Sequence, residues 1–262
     1  MVAICFETSR ATPLSLLERR NIGRPYDVGG ALGTLYQGLL GGRFVVVESS
    51  VTDELASLTL RRATGPLTLL PRVASQGFDA VIRGELQMVW AIDSGLSSSS
   101  VATLLRQVML NMNLSESFTR VPLALPLLAH AVTRPDLVAA YVEGNPEHAS
   151  YVIRLKRPEN VFLQRLTRCE YEVTRRYLEG RSYLQISSAR STSVRTIANQ
   201  MSSAFKKLGA SGRFGVLERA VRAKYGLAPR LTQIRDPSFE KSAEAASAKG
   251  TSGGSSLMSL VP

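Results

Sequence analysis

A chain of 262 residues with 44% hydrophobic content can bury one large core or two to three small ones, which excludes disorder along its whole length. A formal charge of +11 and a pI near 10.1 point to a polyanionic partner. The longest apolar run, VPLALPLLAHAV at 121–132, has twelve residues and two prolines, short of the roughly 20 needed to span a bilayer. Charge is unevenly placed: residues 1–150 hold 12 Arg, no Lys and 13 Asp/Glu, a net of −1, so residues 151–262 carry 20 basic and 8 acidic residues, a net of +12. Cys5 and Cys169 lack metal-ligand spacing and read as free thiols. The N-terminus has no basic start followed by an apolar core, so the expected location is cytoplasmic, with no membrane partner.

In chain order, SLLERR at 15–20 and VGGALGTLYQGLLGG at 28–42 predict helix, the second with the stripe Leu32, Leu35, Tyr36, Leu39 and Leu40. RFVVVES (43–49) and ASLTLRR (56–62) predict a hairpin, and residues from 70 to about 131 predict helices. AAYVEG (139–144) and ASYVIRLKR (149–157) predict a second hairpin around Asn145-Pro146, followed by a second helical block over 167–225. From Asp236 the chain is rich in Ser, Ala and Gly and predicts a disordered tail.

The order hairpin, helices, hairpin, helices suggests an internal repeat. Glu54-Leu55-Ala56-Ser57 recurs as Glu147-His148-Ala149-Ser150, and after a three-residue length difference the helical blocks align at an offset of 96. At that offset Leu70 and Leu166, Arg72 and Arg168, Gly84 and Gly180, Ser97 and Ser193, Ala102 and Ala198, and Ser115 and Ser211 are identical.

Residues 166–213, LTRCEYEVTRRYLEGRSYLQISSARSTSVRTIANQMSSAFKKLGASGR, carry the chemistry. Leu166-Thr167 and Glu170, Glu172-Val173, Glu179-Gly180, Ser182, Ile186, then Ser193, Thr196, Ile197 and Asn199, and finally Phe205-Lys206-Lys207-Leu208-Gly209 with Arg213 fall in a pattern without a gap. This stretch resembles the helix-turn-helix domain of the LuxR family of bacterial transcription regulators. It departs from the family at Cys169, at Arg190-Ser191 in place of the usual Leu-Gly of the turn, and at Ala198. The resemblance implies a sequence-specific, double-stranded DNA-binding regulator whose recognition helix follows Ser193.

The residues support this independently. Ser193 suits an N-cap, and Ile197, Met201, Phe205 and Leu208 form one apolar stripe. Arg195, Thr196, Asn199, Gln200 and Ser203 lie on the other face near the helix start and are the base-reading candidates. An Arg fork suits guanine and Asn or Gln suits adenine. Arg181, Ser193, Lys206, Lys207 and Arg213 are the phosphate-contacting candidates.

Residues 69–117, LLPRVASQGFDAVIRGELQMVWAIDSGLSSSSVATLLRQVMLNMNLSES, resemble the same domain, with Leu70-Pro71-Arg72, Gly84 and the turn Gly95-Leu96-Ser97. Val101, Leu105, Met109 and Met112 repeat the buried stripe, and Ser97 is the expected N-cap. The outer face has Ser99, Ser100, Thr103, Leu104, Leu110 and Asn111 where the later copy has Arg195, Thr196, Asn199, Gln200, Lys206 and Lys207. Loss of cations removes the counterion release that supplies baseline DNA affinity. Only Arg106 remains nearby, so the 98–112 helix better suits a protein partner.

The expectation is therefore a mainly α chain with two β-hairpins (α+β). Its segments are N-terminal helices and hairpin at 1–65, a degenerate helix-turn-helix domain at 66–130, a hairpin connector at 131–159, the DNA-binding domain at 160–228 and a tail at 229–262. Two four-helix domains, each preceded by a hairpin, would make an internal pseudo-dimer, or two chains would pair as a homodimer. The rival reading is a module that binds nucleic acid without sequence preference, or an acidic protein. His130 and His148 are the only histidines, one in an apolar segment and one beside a turn, and no Cys/His pair, metal cluster or phosphate loop is visible, so no enzyme activity, metal or cofactor is expected.

Overall fold

The stripe Leu32, Leu35, Tyr36, Leu39 and Leu40 sits on helix α1 (Val28–Leu40) with all five side chains buried. The computed structural model describes residues 28–65, 70–115, 117–143, 150–162 and 164–227. The SLLERR helix, Cys5, His148 and the expected disordered tail at 229–262 lie outside the described residues.

Strands β1 (Phe44–Val51) and β2 (Leu55–Arg62) form the first hairpin, with Ala56, Leu58 and Leu60 turned inward at period two. Two three-helix runs follow the two hairpins: α2 (Arg72–Ile82), α3 (Gln87–Asp93) and α4 (Ser98–Asn111), then, after the second hairpin, α6 (Arg168–Leu178), α7 (Tyr183–Arg190) and α8 (Val194–Leu208). Between them lie α5 (Ala124–Ala131), β3 (Val138–Glu143) and β4 (Ser150–Lys156), and α9 (Gly212–Lys224) comes last.

Both expected hairpins are present, but they do not stand apart. β2 pairs with β4 to give one antiparallel sheet of order β1-β2-β4-β3. Inward Leu58 and Leu60 with Ile153 and Leu155 offer an apolar face that a two-stranded ribbon alone would leave half covered. Thr59 pairs with Val152, and these positions are 93 apart, the same interval that separates Glu54 from Glu147. A local two-fold axis therefore passes through this pair and exchanges the hairpins.

The helices repeat to the residue. Arg72 and Arg168, Gln87 and Tyr183, and Ser98 and Val194 open corresponding helices, each pair 96 positions apart. Left-handed backbone recurs at the same interval, at Gly84 and Gly180 after the first helix, Gly95 and Ser191 before the third, and Asn113 and Gly209 after it. Each of these reverses the chain where a helix must stop.

The fourth helix is where the copies differ. Positions 116–128, the counterpart of α9, hold a 3₁₀ turn at Phe118–Arg120 and then the start of α5, so the helix that follows α4 is shifted along the chain relative to α9. Instead α5 precedes its hairpin as α1 precedes the first. All eight residues of α5 are buried, and it packs on α1, α2, α9, β2 and β4. A helix apolar all round belongs in a protein centre. Among the described residues no helix is long and apolar enough to cross a membrane.

The main core runs continuously from α1 through the sheet, α2, α4 and α5 to α9, taking in Leu178, Ala204 and Leu208. A second small core, Val173, Ile186, Ile197 and Met201, belongs to α6, α7 and α8 alone. The first hairpin turn is tied to α6 by buried Arg157, which pairs with Glu159 and donates to the Thr52 carbonyl (2.6 Å) and to Glu179 (3.2 Å). Arg175 of α6 pairs with Asp53.

Candidate nucleic-acid interface

Three caps set the angles of α6, α7 and α8. Thr167 and Glu170 form a capping box on α6, and Ser182 and Gln185 form another on α7. Ser193 caps α8, its hydroxyl accepting from the Thr196 N–H at 3.1 Å. Between α7 and α8 the chain turns at Ser191, which holds φ 50°, a left-handed conformation that costs a side-chain-bearing residue about 1–2 kcal/mol. Gly95 takes the same place in the earlier unit without that cost.

Ile197, Met201, Ala204 and Leu208 seat α8 on the bundle. Phe205, assigned to this stripe by spacing, is only half-buried and meets the Tyr177 ring edge-on at 5.9 Å. The interval from Met201 to the next buried residue is three, which follows 3.6 residues per turn better than a run of fours. The opposite side of α8 is open: Arg195, Thr196 and Asn199 are exposed together at its N-terminal end. Thr196 shares its hydroxyl with Ser193 at 2.9 Å, while Gln200 is half-buried with its side-chain oxygen enclosed.

Other candidates face different work. Ser203 donates to Glu170 Oε1 at 2.7 Å, and Lys207 Nζ lies 2.8 and 2.7 Å from the two carboxylate oxygens of the same residue. Burial alone would raise the Glu170 carboxyl, but Lys207, Ser203 and the N–H and hydroxyl of Thr167 together hold it down at about 2. Glu170 is thus both cap partner and latch between α6 and the far half of α8, and it draws the Ser203 hydroxyl towards α6.

Arg213 departs furthest from its expected role. It is buried, donates Nε to the Leu178 carbonyl at 2.8 Å and Nη1 to the Val121 carbonyl at 2.5 Å, and desolvation pushes its guanidinium down to about 10. An arginine so enclosed cannot reach a phosphate; it caps the carbonyl end of α6 instead. Lys206 is exposed, as is Arg181, which lies 3.5 Å from Glu179. Arg168, at the start of α6, has a side chain 90% exposed and lies 3.3 Å from Glu172.

Sequence pattern assigns apolar residues to cores, and so passes over Val194 and Leu184. Val194 opens α8 beside Arg195 with 41% of its surface exposed, and Leu184 in the first turn of α7 has 66% exposed. Val194 thus places an aliphatic group at the surface beside Arg195 and Thr196.

In the earlier unit Ser97 caps α4 as expected, accepting from Ser100 N–H at 3.1 Å, and Val101, Leu105, Val108, Met109 and Met112 are buried. Ser99, Ser100 and Thr103 are exposed, Leu104 and Asn111 half-buried and Leu110 exposed. The far end of α4 is held to the sheet, the Met112 carbonyl accepting from Val46 N–H at 2.9 Å and Asn113 donating to the Val46 carbonyl at 3.1 Å. Among the described residues no group of three or more His, Cys, Asp and Glu side chains is placed to hold a metal ion.

Comparison with protein-family models, with curated proteins and with solved structures gives no match to this chain.

Proposed function

We propose that this chain is a sequence-specific DNA-binding transcription regulator that reads the major groove with α8. The observation that carries the reading is the exposed cluster Arg195, Thr196 and Asn199 at the N-terminal end of a helix otherwise seated on its own small core. A helix presented this way after a short helix and a tight turn can enter a groove about 12 Å wide, with Arg195 and Asn199 offering bidentate pairs to base edges. Val194 adds an apolar contact. Lys206, Arg181 and Arg168 supply the phosphate contacts, Lys207 joins them from its place over Glu170, and Arg213 takes no part.

The earlier unit has the same frame and no reading chemistry, so the reading treats it as scaffold within an internal pseudo-dimer. The test is duplex binding by the full chain against salt and sequence. A reader shows preferred sites whose affinity falls when Arg195→Ala or Asn199→Ala is introduced. Binding that falls with salt but prefers no sequence, with both variants altering nothing beyond charge, defeats the proposal.

A further inference from the structure

Side chains alternate along a strand, so the register of β2 against β4 sorts the sheet into two faces. Leu58, Leu60, Ile153 and Leu155 fill the inner one. The outer rows pair Leu55 with Lys156, Ser57 with Arg154, Thr59 with Val152 and Arg61 with Ser150. Arg61 and Lys156 are exposed and Arg154 is half-buried, and among the described residues none of the three has a hydrogen-bond or ion-pair partner. One acid, Glu48 of β1, shares these rows, opposite Thr59. Arg61 and Arg154 are 93 positions apart, so the two-fold axis through Thr59 and Val152 exchanges them. Four residues along the strand and one strand across set their Cα atoms about 14 Å apart, with small side chains between.

Unpaired cations set symmetrically on a flat floor of small residues complement a polyanion with charges on both sides of an axis. Single-stranded nucleic acid is held by aromatic platforms under its bases, and the aromatic residues of these strands, Phe44, Tyr141 and Tyr151, stand in the inner rows, opposite Arg62, Ile153 and Leu60. A duplex asks only for phosphates in reach. Three steps of about 4.8 Å make the four strands roughly 14 Å wide before side chains are added, too broad for a major groove of about 12 Å, so this face meets backbones rather than base edges. We infer that the outer face of the sheet is a second contact surface for duplex DNA, with Arg61 and Arg154 each neutralising a phosphate across the axis and Lys156 a third beside Arg154. The choice of partner rests on the DNA-binding reading, whereas the contact itself is independent of base reading by α8.

The test is fluorescence anisotropy of the full chain on a labelled duplex of mixed sequence and on one selected for tight binding, between about 50 and 200 mM salt. Arg61→Gln with Arg154→Gln should weaken both duplexes alike and lower the slope of log affinity against log salt by about 2, one for each phosphate contact. Their ratio of affinities should not change. Arg72→Gln with Arg120→Gln removes equal charge from two exposed positions of the earlier unit and should leave the slope as it was. An unchanged slope in the first double variant, an equal fall in the second, or a loss of binding to poly-glutamate without any loss on the duplexes would overturn the inference. Wild-type binding with no preferred sequence defeats reading by α8 and leaves the sheet contact standing; no duplex binding at all defeats both.

Discussion

The unit from Arg72 to Asn113 and the unit from Arg168 to Gly209 share helix starts, a serine cap on the third helix and three left-handed positions, yet they are seated in different ways. The earlier unit merges with the main core: Phe78 and Val101 are wholly buried there, and Met112 and Asn113 are bonded to the sheet edge. The later unit keeps a core of its own and turns a charged, polar helix face to solvent. A repeated frame thus holds its backbone while its outer face differs. Where the later unit has Arg195, Thr196 and Asn199, the earlier one, built into the centre, has Ser99, Ser100 and Thr103.

The sharpest way to break this comparison is through Arg213, whose counterpart 96 positions earlier is Ser117. Arg213→Ala leaves the Leu178 and Val121 carbonyls without their buried donor and should cost about 3 kcal/mol of stability in denaturant unfolding. A loss below about 0.5 kcal/mol would return Arg213 to the surface role that sequence suggested.

Acid separates the shared centre from the later unit. Burial, helped by the Arg83 guanidinium and opposed by Asp79, pushes His130 of α5 down to about 4. The unfolded chain takes up that proton near pH 6.5, so stability is full above about 6.5 and falls by up to about 3 kcal/mol as pH drops to 4. His130→Leu should flatten that window. Glu170, held at about 2 in the later unit, gives a contribution present above about pH 4.3 and lost as pH falls towards 2, and Glu170→Gln should flatten only the lower window. Identical pH profiles for wild type and both variants would contradict this assignment.

Binding gives the next contrast. On a preferred duplex, Arg195→Ala and Asn199→Ala should each cost about 1–3 kcal/mol of affinity, while the equivalent substitutions Ser99→Ala and Thr103→Ala should cost nothing measurable. The smallest effect is one of equality. Ser97→Ala and Ser193→Ala each remove a side-chain cap and should each lower stability by about 1 kcal/mol. A several-fold disparity in free energy would mean that the two third helices are not held alike.

Much of this was legible in the residues. The stripe on α1, both hairpins, the cap at Ser97 and the inward row on α4 follow from periodicity and capping chemistry that act over a few residues. The repeat interval was legible too, since it is arithmetic on a chain. What periodicity does not carry is how distant pieces meet. The union of the hairpins through β2 and β4, and the role of α5 as shared centre, are decided by which apolar faces remain uncovered, a sum over the whole fold. Arg213 shows the same limit: a cation in a charged segment reads as surface until the carbonyls of Leu178 and Val121 are seen to enclose it. Ser203 reads as a groove contact until Glu170, thirty-three positions earlier, is found accepting its hydroxyl, and the tie of Lys207 to the same carboxylate is equally invisible in the sequence.

The central claim, that one of two matched helices reads DNA, is tested most directly by a dimethyl sulfate footprint, which reports guanine N7 in the major groove, of the full chain on a duplex selected from a random pool. The account predicts one protected major-groove segment per bound chain, lost with Arg195→Ala and untouched by Ser99→Ala. Two protected segments per chain about one helical turn apart, roughly 10 base pairs, would show α4 in the groove as well and contradict it.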